Sequence, residues 1–335
     1  MTKIFPLLFF GITEIGVLYG QPSEEVTKVG FCFANYIDVR WYKDQHFFEQ
    51  KVNELGGKTL VRDAINDPEN KLSQAKELID SGVKVLVVIP VDANKSGELV
   101  NVAHQEGIKV IAYDRLIMNS DLDYYVSFDS YKVGENMAFY VTHLKSKGNY
   151  ILINGPVSDN NSILVKDGAM SVLTPYIQRG DIDLICNTDL SEWIELDAYF
   201  AVTECLQNTD KTIDAIITGA DILARGVIMA LDEQNLTDKI LLTGQNADLE
   251  SVRDIVAGKQ TMTVYKSLQK LAENAAVIAM RIAIDEKSLK LEGTVFNGKR
   301  EVPSLLFNPV VVDINNIDET LVKTGHLSAE EIYDK

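Results

Sequence analysis

The sequence is poor in cysteine and has no cluster of basic residues. Its three cysteines, Cys32, Cys186 and Cys205, are too few and too scattered for a disulfide framework or a zinc site with paired ligands. Cys32 and Cys186 lie in apolar runs typical of strands, so we expect small buried side chains there and no need for disulfides. Lysine and arginine number 32 against 49 acidic residues, a formal net charge of -17. We therefore expect no nucleic-acid partner.

Motifs of the common enzyme classes are also missing from the sequence. It contains no GxSxG elbow, no Walker loop and no HExxH motif. The four histidines, His46, His104, His143 and His326, are dispersed and form no evident base or metal constellation. The short GKR segment at 298–300 is typical of a turn. The sequence thus predicts a protein that is not an enzyme and that needs no cofactor or metal.

Long hydrophobic runs are absent after the N-terminus. The segment MTKIFPLLFFGITEIGVLYGQPSEE has Lys3, an apolar run over residues 4–12 and a polar stretch after Gln21. This pattern resembles a secretory signal peptide, although Glu14 interrupts it. The apolar run is shorter than the roughly 20 residues that span a bilayer, so a short anchor is the alternative. We predict a signal peptide or anchor over residues 1–21 and a periplasmic or extracellular protein.

From Lys28 onward, short apolar runs alternate with longer amphipathic segments. This alternation is typical of βαβ units and parallel sheets covered by helices on both faces. About ten strands exceed what one open parallel sheet of this size carries, so the sequence predicts an α/β protein with two Rossmann-like lobes. The candidate strands cover 29–33, 58–63, 83–90, 109–114, 124–129, 149–154, 182–187, 214–219, 239–244 and 261–265. The strand at 124–129 follows its predecessor after only a loop, and we expect the chain to leave the first sheet there.

Polar side chains follow several of these strands. In doubly wound sheets, ligands bind beyond the carboxyl ends of the strands. Arginine, aspartate and amide groups at these positions suit a neutral ligand rich in hydroxyl groups, and a tryptophan ring packs against the C–H face of a sugar. An ion pair within one lobe is the alternative for Asp114 and Arg115. The residues after the strands are Arg40, Trp41, Asp114, Arg115, Asn161, Asp221, Gln245, Asn246 and Lys266, and Trp193 lies in a polar stretch beside them.

Seven segments, in order along the chain, resemble the periplasmic D-xylose-binding proteins of bacterial ABC transport. They are RWYKDQ, LVVIPVDA, GIKVIAYDRLI, DLDYYVSFDSYKVGE, GPVSDNN, TGQNADL and AGKQTMTVYK, and the resemblance runs from Lys28 to Leu321. It implies the type I periplasmic binding protein fold, with two Rossmann-like lobes, each a parallel sheet flanked by helices, joined by three hinge strands. The expected lobes are 26–129 plus 267–293 and 130–266 plus 294–330, with crossings near 128–130, at 265–266 and within 291–306.

The resemblance also implies which side chains hold the sugar. Three positions depart from the family: Lys166 replaces an arginine, Ala220 an asparagine and Asn246 an aspartate. Lysine lacks the planar fork of arginine, and alanine removes an amide that bonds a hydroxyl. All three lie in the expected second lobe, so the sequence supports a monosaccharide ligand better than it fixes D-xylose. The implied contacts are Arg40, Asp114, Arg115, Asn161 and Lys266, with Trp41 and Trp193 as aromatic walls.

The expected function is sugar binding by hinge closure. Periplasmic binding proteins close around their ligand by a hinge motion, and a partner recognises the closed shape. The expected partners are a monosaccharide and an ABC permease. The alternative is a sensor subunit that reports the sugar to a membrane histidine kinase. A DNA-binding repressor is disfavoured, because only about 27 largely apolar residues precede the first strand, too few for a basic helix-turn-helix.

Overall fold

A computed structural model describes residues 26–37, 40–284 and 289–334 of the chain. The signal peptide or anchor predicted over residues 1–21 lies outside these described residues. Across the described ranges, no helix is both long enough and apolar enough to cross a bilayer.

The first part of the chain builds one sheet. Side chains alternate across its strands, so that Phe31 and Phe33 pack under one layer of helices while Cys32 packs under the other. Cys32 is a free, buried thiol, as predicted. The elements are β1 (Lys28–Phe33), α1 (Arg40–Glu54), β2 (Lys58–Asp63), α2 (Pro68–Asp80), β3 (Val85–Val88), α3 (Gly97–Gln105), β4 (Lys109–Tyr113) and β5 (Tyr124–Phe128).

The middle of the chain builds a second sheet with its own buried core. Helices α4 and α5 pack closely where Gly134 faces Gly168: a Cβ on Gly134 would lie 1.9 Å from the Val165 carbonyl oxygen. The elements are α4 (Ser130–Leu144), β6 (Gly148–Asn154), α5 (Asn160–Gln178), β7 (Ile182–Asp189), α6 (Glu195–Gln207), β8 (Ala215–Thr218), α7 (Asp221–Glu233), β9 (Leu241–Thr243), α8 (Leu249–Val256) and β10 (Thr263–Tyr265).

The remaining chain returns to the first sheet and then to the second part of the molecule. Helix α9 packs on the first sheet through residues such as Leu271 and Ala275. The C-terminal residues Ile317 and Leu321 pack with Val312 in the second part of the molecule. The elements are α9 (Leu268–Ala283), β11 (Gly293–Phe296), β12 (Glu301–Phe307), β13 (Val310–Val312), a π-helix (Asp318–Val322) and α10 (Ala329–Tyr333).

The two sheets share one topology. The seven-stranded sheet has the order β11-β12-β5-β4-β3-β1-β2 and the four-stranded sheet the order β7-β6-β8-β9. In the first sheet β1 lies between β2 and β3, and in the second sheet β6 lies between β7 and β8. The strand order therefore reverses at β1 and at β6, and each reversal is a topological switch point. The pairs are parallel except for β11 with β12 and, in a separate two-stranded sheet, β10 with β13. This confirms the α/β fold with two Rossmann-like lobes, which we call the first lobe and the second lobe.

The structure corrects one expectation about strand pairing and one about the lobe boundary. Strand β5 does not leave the first sheet: it pairs in parallel with β4, although no helix forms between them. Strands β11 and β12 also belong to the first sheet, since β12 pairs with β5 from Ser304 to Phe307. Residues 294–307 therefore lie in the first lobe, and the third crossing is at residues 308–309 instead of within 291–306. The backbone of Asp129 at the first crossing donates to the Phe307 carbonyl at 3.0 Å, which ties these two crossings together.

The expectation that the chain needs no disulfide is also corrected. Cys186 on β7 and Cys205 on α6 form a disulfide, with Cα atoms 6.1 Å apart. Helix α6 follows β7 and packs back on it, which brings two cysteines separated by 19 positions together. The bond therefore links an edge strand of the second lobe to its covering helix.

Candidate functional site

A cavity of about 200 Å³ lies between the two lobes, at the carboxyl ends of the strands of both sheets. Charged and amide groups and two tryptophan rings form its wall. Nine of the eleven side chains predicted from the sequence line it. They are Arg40, Trp41, Asp114, Arg115, Asn161, Trp193, Gln245, Asn246 and Lys266.

Arg40 begins α1 and is fixed from three sides. Its Nε atom lies 3.2 Å from Asp44 Oδ2, one helical turn later, and its Nη2 atom lies 3.1 Å from Asp114 Oδ1. Its guanidinium carbon also lies 4.4 Å from the centre of the Trp41 ring, and the Arg115 guanidinium lies 5.8 Å from that ring. The ring of Trp41 thus lines the cavity and helps to hold both arginines.

Asp114 ends β4 in a left-handed backbone conformation, with φ of +62°. Such a conformation is unfavourable for a residue with a Cβ atom, and side-chain hydrogen bonds compensate for it here. Its carbonyl oxygen accepts from Ser127 Oγ at 2.6 Å, from Tyr125 Oη at 3.0 Å and from Asn161 Nδ2 at 2.9 Å. The turn that these bonds hold sends the Asp114 carboxylate into the cavity and Arg115 toward the second lobe.

Two buried carboxyl groups beneath the cavity have opposite pKa shifts. Burial raises the pKa of Asp44 to about 6, although Arg40 and the hydroxyl of Tyr113 partly oppose this. Burial would also raise the pKa of Asp114. The positive charges of Arg40, Lys266 and Arg115 outweigh burial there, so the pKa of Asp114 lies below its usual value. Asp114 is therefore a carboxylate that accepts hydrogen bonds at neutral pH.

Polar contacts join the lobes across the mouth and floor of the cavity. Arg115 Nε lies 2.8 Å from Asp159 Oδ2, and the Asn161 amide reaches the Asp114 carbonyl. Asn66 Nδ2 donates to Glu192 Oε2 at 3.3 Å, and the Ala93 backbone donates to the Ser158 carbonyl at 3.1 Å. The side chains at the strand ends of both lobes therefore meet around one space.

Trp193 forms the aromatic wall on the second-lobe side. Its ring lies directly on the backbone of Gly155: a Cβ there would sit 2.2 Å from Trp193 Cη2. A Cβ on Gly219 would sit 3.3 Å from the same ring. The indole Nε1 donates to Asp159 Oδ2 at 3.2 Å. The ring thus lies in close contact with two glycines, packs against the hydrophobic core of the second lobe and lines the cavity.

The ends of β9 and β10 supply amide and amino groups. Gln245 Nε2 donates to the Gly219 carbonyl at 2.5 Å. Asn246 has φ of +110°, and within the described ranges nothing donates to its buried Oδ1 atom. Such an acceptor suits a ligand hydroxyl, because a buried oxygen left unpaired is costly. Lys266 Nζ lies 5.7 Å from the centre of the Phe128 ring, at the crossing between lobes.

Two of the predicted residues are not at the cavity, which corrects the expectation. Lys166 lies on α5, and its Nζ lies 2.8 Å from Asp189 Oδ2. Asp221 is buried in the second lobe, where its carboxylate accepts from Thr263, Gln260 and the backbone of Asp248. Burial and the charge of Asp248 raise its pKa. Each side chain has partners within its own lobe, and neither lines the cavity.

The cavity also contains residues that our residue-by-residue prediction missed. Asp159 is the N-cap of α5, and an aspartate just before a helix is a sequence signal for a cap but not for a site. Asn66 and Glu192 lie on the rim in loops of opposite lobes, where no sequence signal pairs them. In the described parts of the chain, no group of three His, Cys, Asp or Glu side chains is placed to hold a metal ion.

Comparisons with known proteins agree with this arrangement. A model of the periplasmic binding protein domain matches residues 29–287. The D-xylose-binding periplasmic protein of Haemophilus influenzae is 39% identical over 331 residues, 99% of each chain. That of Escherichia coli is 39% identical over 305 residues, 91% of this chain and 92% of that one. A solved carbohydrate transporter solute binding protein from Chloroflexus aurantiacus, in complex with D-glucose, matches with a TM-score of 0.87 and 27% identity, covering 92% of this chain and 99% of that one.

Proposed function

The chain belongs to the periplasmic binding protein domain family, and from that premise we propose that it binds one monosaccharide between its lobes and delivers it to an ABC permease. The cavity between the lobes carries this proposal. Its wall combines charged groups, amides and aromatic rings, the chemistry that recognises a ring with many hydroxyl groups. It is not an enzyme: the two relatives above are D-xylose-binding periplasmic proteins.

D-xylose is the first candidate for the ligand. Two relatives that are 39% identical are D-xylose-binding proteins. The residues that the resemblance assigns to the sugar in the first lobe, Arg40, Asp114 and Arg115, all line the cavity. On the second-lobe side, Ala220 lines the cavity as a short apolar residue and Lys166 lies elsewhere. We therefore expect the second lobe, more than the first, to decide between pentoses and hexoses.

A thermal-shift screen with pentoses and hexoses tests the proposed ligand class. A ligand present at 100 times its Kd stabilises the folded protein by about 2.7 kcal/mol, which raises Tm by several degrees. We expect D-xylose to raise Tm and Asp114→Asn to abolish the increase. A larger increase with another monosaccharide would reassign the sugar. No increase with any pentose or hexose would contradict sugar binding.

Delivery to a permease requires a location outside the cytoplasm. The periplasmic relatives support this location, and residues 1–21 are the proposed signal peptide or anchor. N-terminal sequencing of the protein recovered from its cells, together with fractionation, tests both. Deletion of the gene is expected to abolish ATP-dependent uptake of the labelled sugar. Normal uptake combined with loss of a sugar-dependent kinase response would favour the sensor alternative.

A further inference from the structure

Asp159 is the point at which three parts of the cavity meet. It is 4% exposed and caps α5, where its Oδ1 accepts from the Asn161 backbone at 2.9 Å. Its Oδ2 accepts from the Trp193 indole at 3.2 Å and lies 2.8 Å from Arg115 Nε of the first lobe. One carboxylate thus contacts the aromatic wall, the helix that carries Asn161 and the opposite lobe.

We propose that Asp159 is the positioning residue of this site. It holds the Trp193 ring through a hydrogen bond and pairs with Arg115 across the cleft, so that the position of the ring is fixed when the lobes close. This inference rests on the proposed sugar-binding function. It deepens that function, because it names a residue that can couple the position of the Trp193 ring to the closure of the lobes without contacting the sugar.

The hydrogen bonds at Asp159 require a carboxylate. The Asn161 N–H, the Trp193 N–H and the Arg115 guanidinium are all donors, and they approach both oxygens of the side chain. An asparagine has the same shape but carries an oxygen on one side and an NH2 group on the other. Whichever way its amide turns, one of these donors faces another donor. Asp159→Asn therefore breaks the coupling with almost no change in volume.

Trp193 responds to this change because Asp159 accepts the hydrogen bond from its indole N–H. Close contact with the backbone of Gly155 and Gly219 and packing against the core of the second lobe limit where the ring can lie. The bond from its Nε1 to Asp159 is the directional contact that fixes the rotation of the ring. Arg115 responds as well, because Asp159 is its charged partner across the cleft and both side chains are largely buried. A buried charged pair that loses one charge is strongly destabilised.

Asp67→Asn provides a matched control. Asp67 caps α2 in the same manner, with its Oδ1 accepting from the Glu69 backbone at 2.9 Å, but it is exposed. Asparagine is as good a cap as aspartate, so this variant tests the effect of the substitution at a helix cap alone. It leaves the cavity side chains unchanged.

The experiment measures sugar release and ring position in the full chain. For Asp159→Asn we expect the dissociation rate of D-xylose, or of the sugar that raises Tm most, to rise at least tenfold, with an association rate within threefold of wild type. The indole N–H signal of Trp193 in an NMR spectrum should shift without sugar, and that of Trp41 should stay in place. Asp67→Asn should match the wild type in all three measurements.

Other results would overturn the proposal. An unchanged dissociation rate and indole signal in Asp159→Asn would show that Asp159 does not position the Trp193 ring. An equal effect of Asp67→Asn would show that the change arises from replacing any N-cap aspartate by asparagine. If the wild type binds no sugar, the proposed function fails, but the coupling can still be measured. In that case small-angle scattering without sugar should give a larger radius of gyration for Asp159→Asn than for the wild type and Asp67→Asn, and equal radii would overturn the coupling.

Discussion

Arg40 and Asp114 form a buried salt bridge of 3.1 Å between the start of α1 and the end of β4, with each side chain 6% exposed. The same guanidinium also contacts Asp44, so its planar fork joins two carboxylates that are far apart in sequence. This pairing places the charges of the first lobe at the floor of the cavity, and it makes the position of Asp114 depend on an arginine.

Replacement of Arg40 by lysine should weaken sugar binding strongly. Lysine keeps the charge but cannot contact Asp44 and Asp114 with a rigid fork, so Asp114 loses its fixed position. We expect the Kd to rise about 10- to 100-fold, corresponding to roughly 1–3 kcal/mol. Calorimetric titration measures this. Arg62→Lys, in an exposed pair with Glu77, is the control and should bind as the wild type does. Equal affinities of Arg40→Lys and wild type would contradict the role of the fork.

The raised pKa of Asp44 predicts a specific pH dependence of stability. The pKa is about 6 in the folded protein, against an ordinary value of 3.8. The folded state therefore binds a proton more tightly than the unfolded state, and this contribution is complete below about pH 4 and lost as the pH rises through 6. The free energy of unfolding of wild type, relative to Asp44→Asn, should grow by up to about 3 kcal/mol from pH 7 to pH 4. Urea unfolding at several pH values tests this, and a constant difference would refute it.

The contact between Trp193 and Gly155 predicts the effect of a single methyl group. A Cβ at position 155 would lie 2.2 Å from the ring, so in Gly155→Ala the indole has to move into the cavity. We expect a roughly tenfold loss of sugar affinity, because a forced shift of this kind costs about 1–3 kcal/mol. Gly293→Ala is the control, since the nearest atom to a Cβ there is 3.9 Å away. If Gly155→Ala binds sugar as tightly as the wild type, Gly155 does not determine the position of the Trp193 ring.

The disulfide between Cys186 and Cys205 should contribute to stability without affecting the site. It closes a loop over a sequence separation of 19, for which the expected contribution is about 3 kcal/mol. Neither cysteine lines the cavity. Reduction should therefore lower the midpoint of urea unfolding while leaving the sugar Kd within about twofold at 25 °C. The double variant Cys186→Ser/Cys205→Ser should be insensitive to the reductant. A large change in Kd on reduction would show that the bond supports the site.

Sequence patterns predicted the strands and the edge of the sheets where the cavity forms. Apolar runs such as 83–90 and 109–114 are recognisable because both faces of the sheet are covered. Residues just after parallel strands lie at one edge, which is why Asp114, Gln245 and Lys266 meet.

Other features depend on tertiary packing and could not be derived in this way. Asp221 follows a strand just as Asp114 does, yet Thr263 and Gln260 bind its carboxylate inside the second lobe. The pairing of Cys186 with Cys205 depends on how α6 packs on β7. One signal was in the sequence but was not used: the turn recognised at 298–300 belongs to the loop 297–300 that joins β11 and β12 into a hairpin, which makes this segment part of one sheet.

A crystal structure of the protein grown with saturating D-xylose, or with the sugar that raises Tm most, shows directly whether one sugar binds between the two lobes. We predict density for one sugar ring in the cavity, with hydroxyl groups in hydrogen-bond distance of Arg40 or Asp114 in the first lobe and of Asn246 in the second. Density for the sugar outside the cleft, or an empty cleft at a concentration that saturates binding in solution, would contradict the account.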